Sequence, residues 1–123
     1  MNKSLAILFS AFLAAGCSPF VETLDLNDVS SEVLAQAAGV KVYTLAQVGP
    51  PNVSVIKPIE AYSCKHLMTD PPASKGDALL QLQLKAAELG ASSIINVTFD
   101  TRGTDTWGTN CWETVQASGL AAK

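Results

Sequence analysis

Chemical capability in this 123-residue chain is concentrated in three cysteines and a single histidine. Cys64, His66 and Cys111 offer two thiolates and an imidazole, a donor set that suits zinc, with Asp70 as a candidate fourth ligand. The same two sulfurs have a competing use. Joined as a disulfide they close a loop of 47 positions, which the chain-entropy view values at roughly 4 kcal/mol before strain. Oxidation of the pair removes the metal site. Catalysis by a nucleophile requires a base within hydrogen-bond reach, and His66 is the lone histidine. The sequence contains no GxSxG, P-loop or HExxH pattern. Asp100 and Asp105 flank a polar loop, where two acids are solvated groups. The chain therefore reads as non-enzymatic, with no cofactor.

The third cysteine belongs to a different chemistry. Lys3 is followed by an apolar run from Leu5 to Phe12 and then by Leu13-Ala14-Ala15-Gly16-Cys17. One basic residue, a short apolar stretch and small residues at its end describe a secretory signal peptide over residues 1–16. The stretch is shorter than the roughly 20 residues that span a bilayer. The small-small-Cys ending resembles the lipobox of bacterial lipoproteins. That resemblance implies cleavage before Cys17 and attachment of acyl chains to it. One chain anchors only marginally, whereas several hold firmly. Ser18 stands where an Asp would retain such a protein at the inner membrane, so the resemblance implies the outer membrane, with the domain facing the periplasm. Lipidation takes Cys17 out of the tally. In an oxidising compartment the remaining pair, Cys64 and Cys111, then reads as a disulfide. A domain of about 80 residues is marginal on its core alone, so such a bond matters for folding.

Charge divides the mature chain in two. Residues 18–40 hold Glu22, Asp25, Asp28 and Glu32 and no Lys or Arg, while the remainder carries seven charges of each sign. The net charge thus lies in an acidic tether, residues 17–39, ahead of a neutral domain, residues 40–123. Neither part has the basic patch that nucleic-acid binding needs.

The elements that must position these side chains follow from periodicity and punctuation. Asn27 to Ala38 reads either as a short helix or as a flexible arm, with Gly39 as a left-handed stop. Val40 to Leu45 alternates as a strand, and Gly49-Pro50-Pro51-Asn52 is a turn. Val53 to Tyr62 is extended, closes at Cys64, and must run at an edge or bulge because Pro58 lacks a ladder donor. Ser74 and Asp77 mark a helix start, and Gly90 its end. Ala78, Leu79, Leu82, Ala86 and Leu89 share one face of that helix. Leu80, Leu84 and Ala87 add a second apolar side, so the helix needs cover from the tether or a partner as well as from a sheet. Ser93 to Asp100 is the strongest strand, with Ile95, Val97 and Phe99 expected to face the helix. Thr101 to Asn110 reads as an exposed Gly/Thr loop, and Cys111 to Leu120 as a last strand. The order is β-β-α-β-β, a small α+β domain with one main helix on a sheet and one disulfide tying the end of strand two to the start of strand four. Trp112 is expected to pack beside the bridge. Trp107, in the loop, is a candidate partner contact, because exposed aromatics anchor interfaces.

Three stretches carry a wider resemblance: the extended segment ending at Cys64, AAELGASSIINVTFD from Ala86 to Asp100, and WGTNCWETVQASG from Trp107 to Gly119. With a lipobox in front, the chain resembles the RcsF family of outer-membrane lipoproteins, which sense envelope stress for the Rcs phosphorelay. The resemblance spans roughly Val40 to Lys123. It implies a non-catalytic signalling lipoprotein that works through protein contacts. The implied partners are an IgaA-like inner-membrane regulator and BamA-like or porin barrel proteins. Cys64 and Cys111 match one family bridge. The partners of a second family bridge fall near Phe99–Asp100 and Gln116, where this chain has no cysteine. The family's long basic, Pro-rich tether is replaced by an acidic one with a single proline. Its 22 residues after Cys17 would reach roughly 70–80 Å if fully extended. Two other readings stand beside signalling: a structural or assembly lipoprotein of the envelope, and a metal-handling domain built on Cys64, His66 and Cys111.

Overall fold

The computed structural model describes residues 23–102 and 111–123. It is an α+β fold. A 3-10 turn, Leu26–Asp28, leads into helix α1 (Ser31–Ala38) and strand β1 (Lys41–Thr44). Strand β2 (Val55–Lys65), helix α2 (Lys75–Glu88) and strands β3 (Ser93–Arg102) and β4 (Glu113–Ala122) follow. The sheet order is β1-β3-β4-β2. β3 and β2 both run antiparallel to β4, and β1 runs parallel to β3. The helical crossover α2 carries the chain from the outer strand β2 to β3. Pro58 therefore lies on an edge strand, as its missing donor demands, and the β2–β4 register is irregular between Val55 and Lys57.

Local chemistry sets the ends of α2. The Ser74 hydroxyl accepts from the Asp77 backbone N–H at 3.1 Å, and the Ser74 N–H donates to the Ser63 hydroxyl. Gly90 adopts a positive φ of 72°, with Gly90 N–H donating to the Ala87 carbonyl and Ala91 N–H to the Ala86 carbonyl. This pair of bonds is a Schellman stop. Gly39 ends α1 differently. Its φ is −75°, in the right-handed region, and the last turn tightens through Gly39 N–H to Gln36 O and Val40 N–H to Ala37 O. The left-handed stop expected there is not used, because Val40 turns straight into the core instead of reversing over the helix end.

The core lies between α2 and one sheet face. Ala78, Leu82 and Ala86 of α2 meet Ile59, Ala61, Ile94, Val97, Val115, Ala117 and Ala121 of the sheet. In β3 the facing set differs from the simple alternation. Ile94 is fully buried and Val97 nearly so, Phe99 packs against them, and Ile95 lies on the opposite face. The cause is an irregularity between Ile95 and Thr98, where Asn96 adopts φ 55° and adds one residue to the strand. The extra residue flips the phase, so Ile94 takes the place expected of Ile95. Opposite this bulge stands Gly119. A Cβ there would sit 2.6 Å from Ile94 Cγ2 and 3.1 Å from the Ile95 carbonyl oxygen, so the close approach needs glycine.

The second side of α2 is covered by the chain's own N-terminal segment. α1 lies against α2, and both Ala37 and Leu84 are buried outside the main core cluster. Gln81 is buried and bonds the Leu24 backbone twice: Leu24 N–H donates to Gln81 Oε1 at 3.2 Å, and Gln81 Nε2 donates to Leu24 O at 2.7 Å. Gln83 Nε2 donates to the Val40 carbonyl at 3.0 Å. Residues 24–40 are thus docked onto the domain, and the fully extended reach applies only to a chain that has let go. Replacing Gln81 by Ala strips two partly buried backbone groups of Leu24 of their partner, which costs about 1–2 kcal/mol, a factor of roughly 5–30 in docking. Amide hydrogen exchange across α1 should quicken by that factor while β3 and β4 stay protected. Unchanged exchange in α1 would show that the pair does not hold the segment.

Candidate functional site

The chemistry-bearing residues meet at one end of the sheet, where β2 finishes and β4 begins. Register brings them there: Cys64 is opposite Thr114, and Lys65 is opposite Glu113. One step further out, Trp112 N–H donates to the Lys65 carbonyl at 2.7 Å, which holds the approach to β4 against β2. Cys64 and Cys111 are joined with Cα atoms 5.4 Å apart, within the ordinary range for a disulfide. Cys111 is buried and Cys64 half-buried. The bond ties the end of the second strand to the approach to the fourth, as the cysteine spacing predicts.

Beyond Lys65 the chain makes a tight turn. His66 N–H and Leu67 N–H both donate to Asp70 Oδ2, at 3.2 and 2.9 Å, and Asp70 N–H returns to the Leu67 carbonyl at 3.0 Å. This turn fixes the backbone of His66 beside the bridge. The imidazole and the two sulfurs place their ligand atoms within 4.8 Å of one another. Asp70 is not in that group, and one of its oxygens is already committed to the turn. The donor set nominated from sequence is therefore assembled as a trio without the suggested fourth ligand.

The segments that carry this trio also expose large apolar side chains. Leu67 is 61 %, Met68 75 % and Trp112 48 % exposed. Trp112, expected to pack beside the bridge, is adjacent to the buried Cys111 and leaves about half of its surface open to solvent. Leu67 and Met68 escaped the sequence reading because loop residues carry no periodic signal. Trp107 and Asp105 lie outside the described residues, as does Cys17. A cavity of about 280 Å³ adjoins the bridge, lined by Thr23, Leu24, Cys64, Asp70, Asp77 and Gln81. It sits where the docked N-terminal segment meets the start of α2.

The sheet face away from α2 is lined by polar rows. Glu60, Ser118 and Thr98 stand side by side across β2, β4 and β3, as do Tyr62, Gln116 and Asp100. Gln116 Nε2 donates to Glu60 Oε2 at 2.8 Å. A shallow cavity of about 500 Å³ opens next to them, between Pro58, Glu60, Asn96, Ser118 and Leu120. Asp100 and Gln116 are direct cross-strand partners. Such pairs keep Cα atoms about 4.5–5.5 Å apart, inside the disulfide range. A D100C/Q116C double variant should therefore close a second bridge over a short loop and raise stability by up to about 3 kcal/mol. A mass lower by two hydrogen atoms after exposure to an oxidised disulfide buffer, together with a higher melting temperature, checks it. Free thiols in the purified double variant would contradict the register.

No protein-family model matches this sequence, and no curated protein does. Among solved structures the chain is similar to a crystal structure of a protein with unknown function of the DUF74 family from Pediococcus pentosaceus. The two are 18 % identical with a TM-score of 0.50, over 68 % of this chain and 96 % of that one. A likeness at that identity describes a shared fold.

Proposed function

We propose that this chain is a non-catalytic, lipid-anchored envelope protein that signals through protein contacts made at its disulfide end. The observation that carries the reading is the exposed apolar group Leu67, Met68 and Trp112 around the Cys64–Cys111 bridge. Exposed aromatic and Met side chains on a rigid base are what protein interfaces use as anchors. The disulfide and the paired ends of β2 and β4 supply that rigidity. The resemblance to the RcsF family supports the stress-sensing role and names the partner class, an IgaA-like inner-membrane regulator. The lipobox resemblance at Cys17 supports the outer membrane as the address.

The docked N-terminal segment gives this role a mechanism. With residues 24–40 held by Gln81 and α1, only residues 18–22 separate the acylated Cys17 from the folded chain at Thr23. Six residue steps reach roughly 20 Å, so the domain stays close to the membrane that anchors it. Release of the segment multiplies the reach, and with it access to a partner across the periplasm. Signalling is then a choice between a short and a long leash.

The test is an Rcs reporter under outer-membrane damage. Deletion of the gene should abolish the response, and a Trp112→Ala, Met68→Ala variant should weaken it while the protein remains folded and lipidated. Photo-crosslinking from position 112 should capture the inner-membrane regulator. A normal stress response in the deletion strain would overturn the signalling role and leave a structural or assembly lipoprotein.

A further inference from the structure

The trio at the bridge has a second possible state, and it is independent of the signalling role. We infer that Cys64, His66 and Cys111 form a redox-gated zinc site: closed as a disulfide when oxidised, open to a thiophilic metal ion when reduced. Tetrahedral zinc places two thiolate sulfurs roughly 3.8 Å apart and an imidazole nitrogen roughly 3.5 Å from each. All three donor atoms here already lie within 4.8 Å of one another, so side-chain rotation alone suffices.

The site survives loss of the sulfur–sulfur bond because other bonds hold its backbone. The Cys64–Thr114 and Lys65–Glu113 pairs belong to the β2–β4 ladder, and Trp112 N–H is fixed on the Lys65 carbonyl. His66 is held from the other side by the Asp70 carboxylate. An independent feature points to the same place. Among the described residues the buried Thr114 hydroxyl has no hydrogen-bond partner, and Thr114 is the cross-strand neighbour of Cys64. Directly opposed residues project to the same sheet face. A hydroxyl there is positioned to donate to a Cys64 thiolate, the outer support that metal-bound sulfurs and imidazoles ordinarily have. His66 is exposed and Cys111 buried, so the trio has one open side. Among the described residues the site supplies three ligands, and a centre with three protein ligands suits an ion that is delivered, sensed or passed on, in contrast to the four-ligand structural sites.

The chemistry balances with a dithiol reductant. Its thiolate attacks one sulfur of the bridge, which forms a mixed disulfide with that cysteine and releases the other as a thiol; its second thiol then displaces the remaining cysteine, and the donor leaves as its own disulfide. Two electrons and two protons pass to the bridge. Zinc then displaces both thiol protons to solvent and binds a neutral His66 nitrogen.

The experiment uses the mature chain carrying Cys17→Ser, so that the bridge sulfurs are the only thiols. It is reduced with a phosphine, freed of reductant under argon, kept cold, and titrated with zinc against a chromophoric chelator while circular dichroism reports the fold. The expected result is one zinc per chain for the reduced protein and none for the oxidised one. Cobalt in place of zinc should give a thiolate charge-transfer band. His66→Ala should weaken binding at least about tenfold, and Thr114→Val, which keeps shape and removes the hydroxyl, by roughly tenfold. If the reduced chain unfolds and zinc restores it at one equivalent with the same dependence on His66, the inference stands as coupled folding and binding. Equal zinc uptake by the oxidised chain, no stoichiometric uptake by the reduced one, or an affinity indifferent to His66 would overturn it.

Discussion

Replacing Cys64 and Cys111 together by serine should lower the melting temperature by roughly 15–30 °C. A closed loop of 47 positions removes conformational freedom from the unfolded chain worth about 4 kcal/mol. Domains of this size convert each kcal/mol into about 4–8 °C. The loss is large against the 5–15 kcal/mol that holds a typical domain together. It is not expected to erase the native fold, because β2 stays paired along its length with β4 and the core between α2 and the sheet contains neither sulfur. The double variant should therefore unfold cooperatively at a lower midpoint, with near-native circular dichroism in the cold. A shift under about 5 °C would mean that the ladder already restrains the loop in the unfolded ensemble. Unfolding in the cold would mean that the core contributes less than its burial suggests.

Leu82→Ala should cost about 4 kcal/mol, near the upper end for a buried leucine. Leu82 and Ile94 are the largest fully buried side chains among the described residues. Six of the eleven other buried residues in its core cluster are alanine: Ala78 and Ala86 on its own helix, Ala91 just after it, and Ala61, Ala117 and Ala121 on the sheet. Alanine has no rotamer with which to move into a void. These short side chains set the spacing between α2 and the sheet, so the cavity stays open. Denaturant unfolding should show a lower midpoint with an unchanged slope, and Leu82→Met, which nearly conserves volume, should lose under about 1.5 kcal/mol. A loss below about 2 kcal/mol for Leu82→Ala would show that α2 settles onto the sheet after all.

The same residues show where a linear reading succeeds and where it stops. Ser74, Asp77 and Gly90 announced the ends of α2 because capping is decided by bonds to residues a few positions away. The Cys64–Cys111 pairing was legible because the lipobox resemblance sets Cys17 aside and implies an oxidising compartment, which leaves one pair of cysteines to join. The phase of β3 was not legible. Asn96 can sit in a strand or at a bulge, and the bulge is selected by the register with β4 and by Gly119 across from it. The second apolar side of α2 announced a cover without choosing between the tether and a partner. The choice rests on contacts such as that of Gln81 with the backbone of Leu24, 57 positions apart, which nothing local links.

From the sequence alone came the α+β class, the disulfide, the donor trio and the extents of the main helix and strands. Those depend on short-range bonds, side-chain periodicity and the count of sulfurs. The strand order β1-β3-β4-β2, the docking of residues 24–40, the exposure of Trp112 and the gathering of His66 to the bridge without Asp70 were settled only by the folded chain. Each is a contact between distant positions, chosen because it buries apolar surface or satisfies a polar group better than the alternatives, and that comparison exists only once the whole chain is packed.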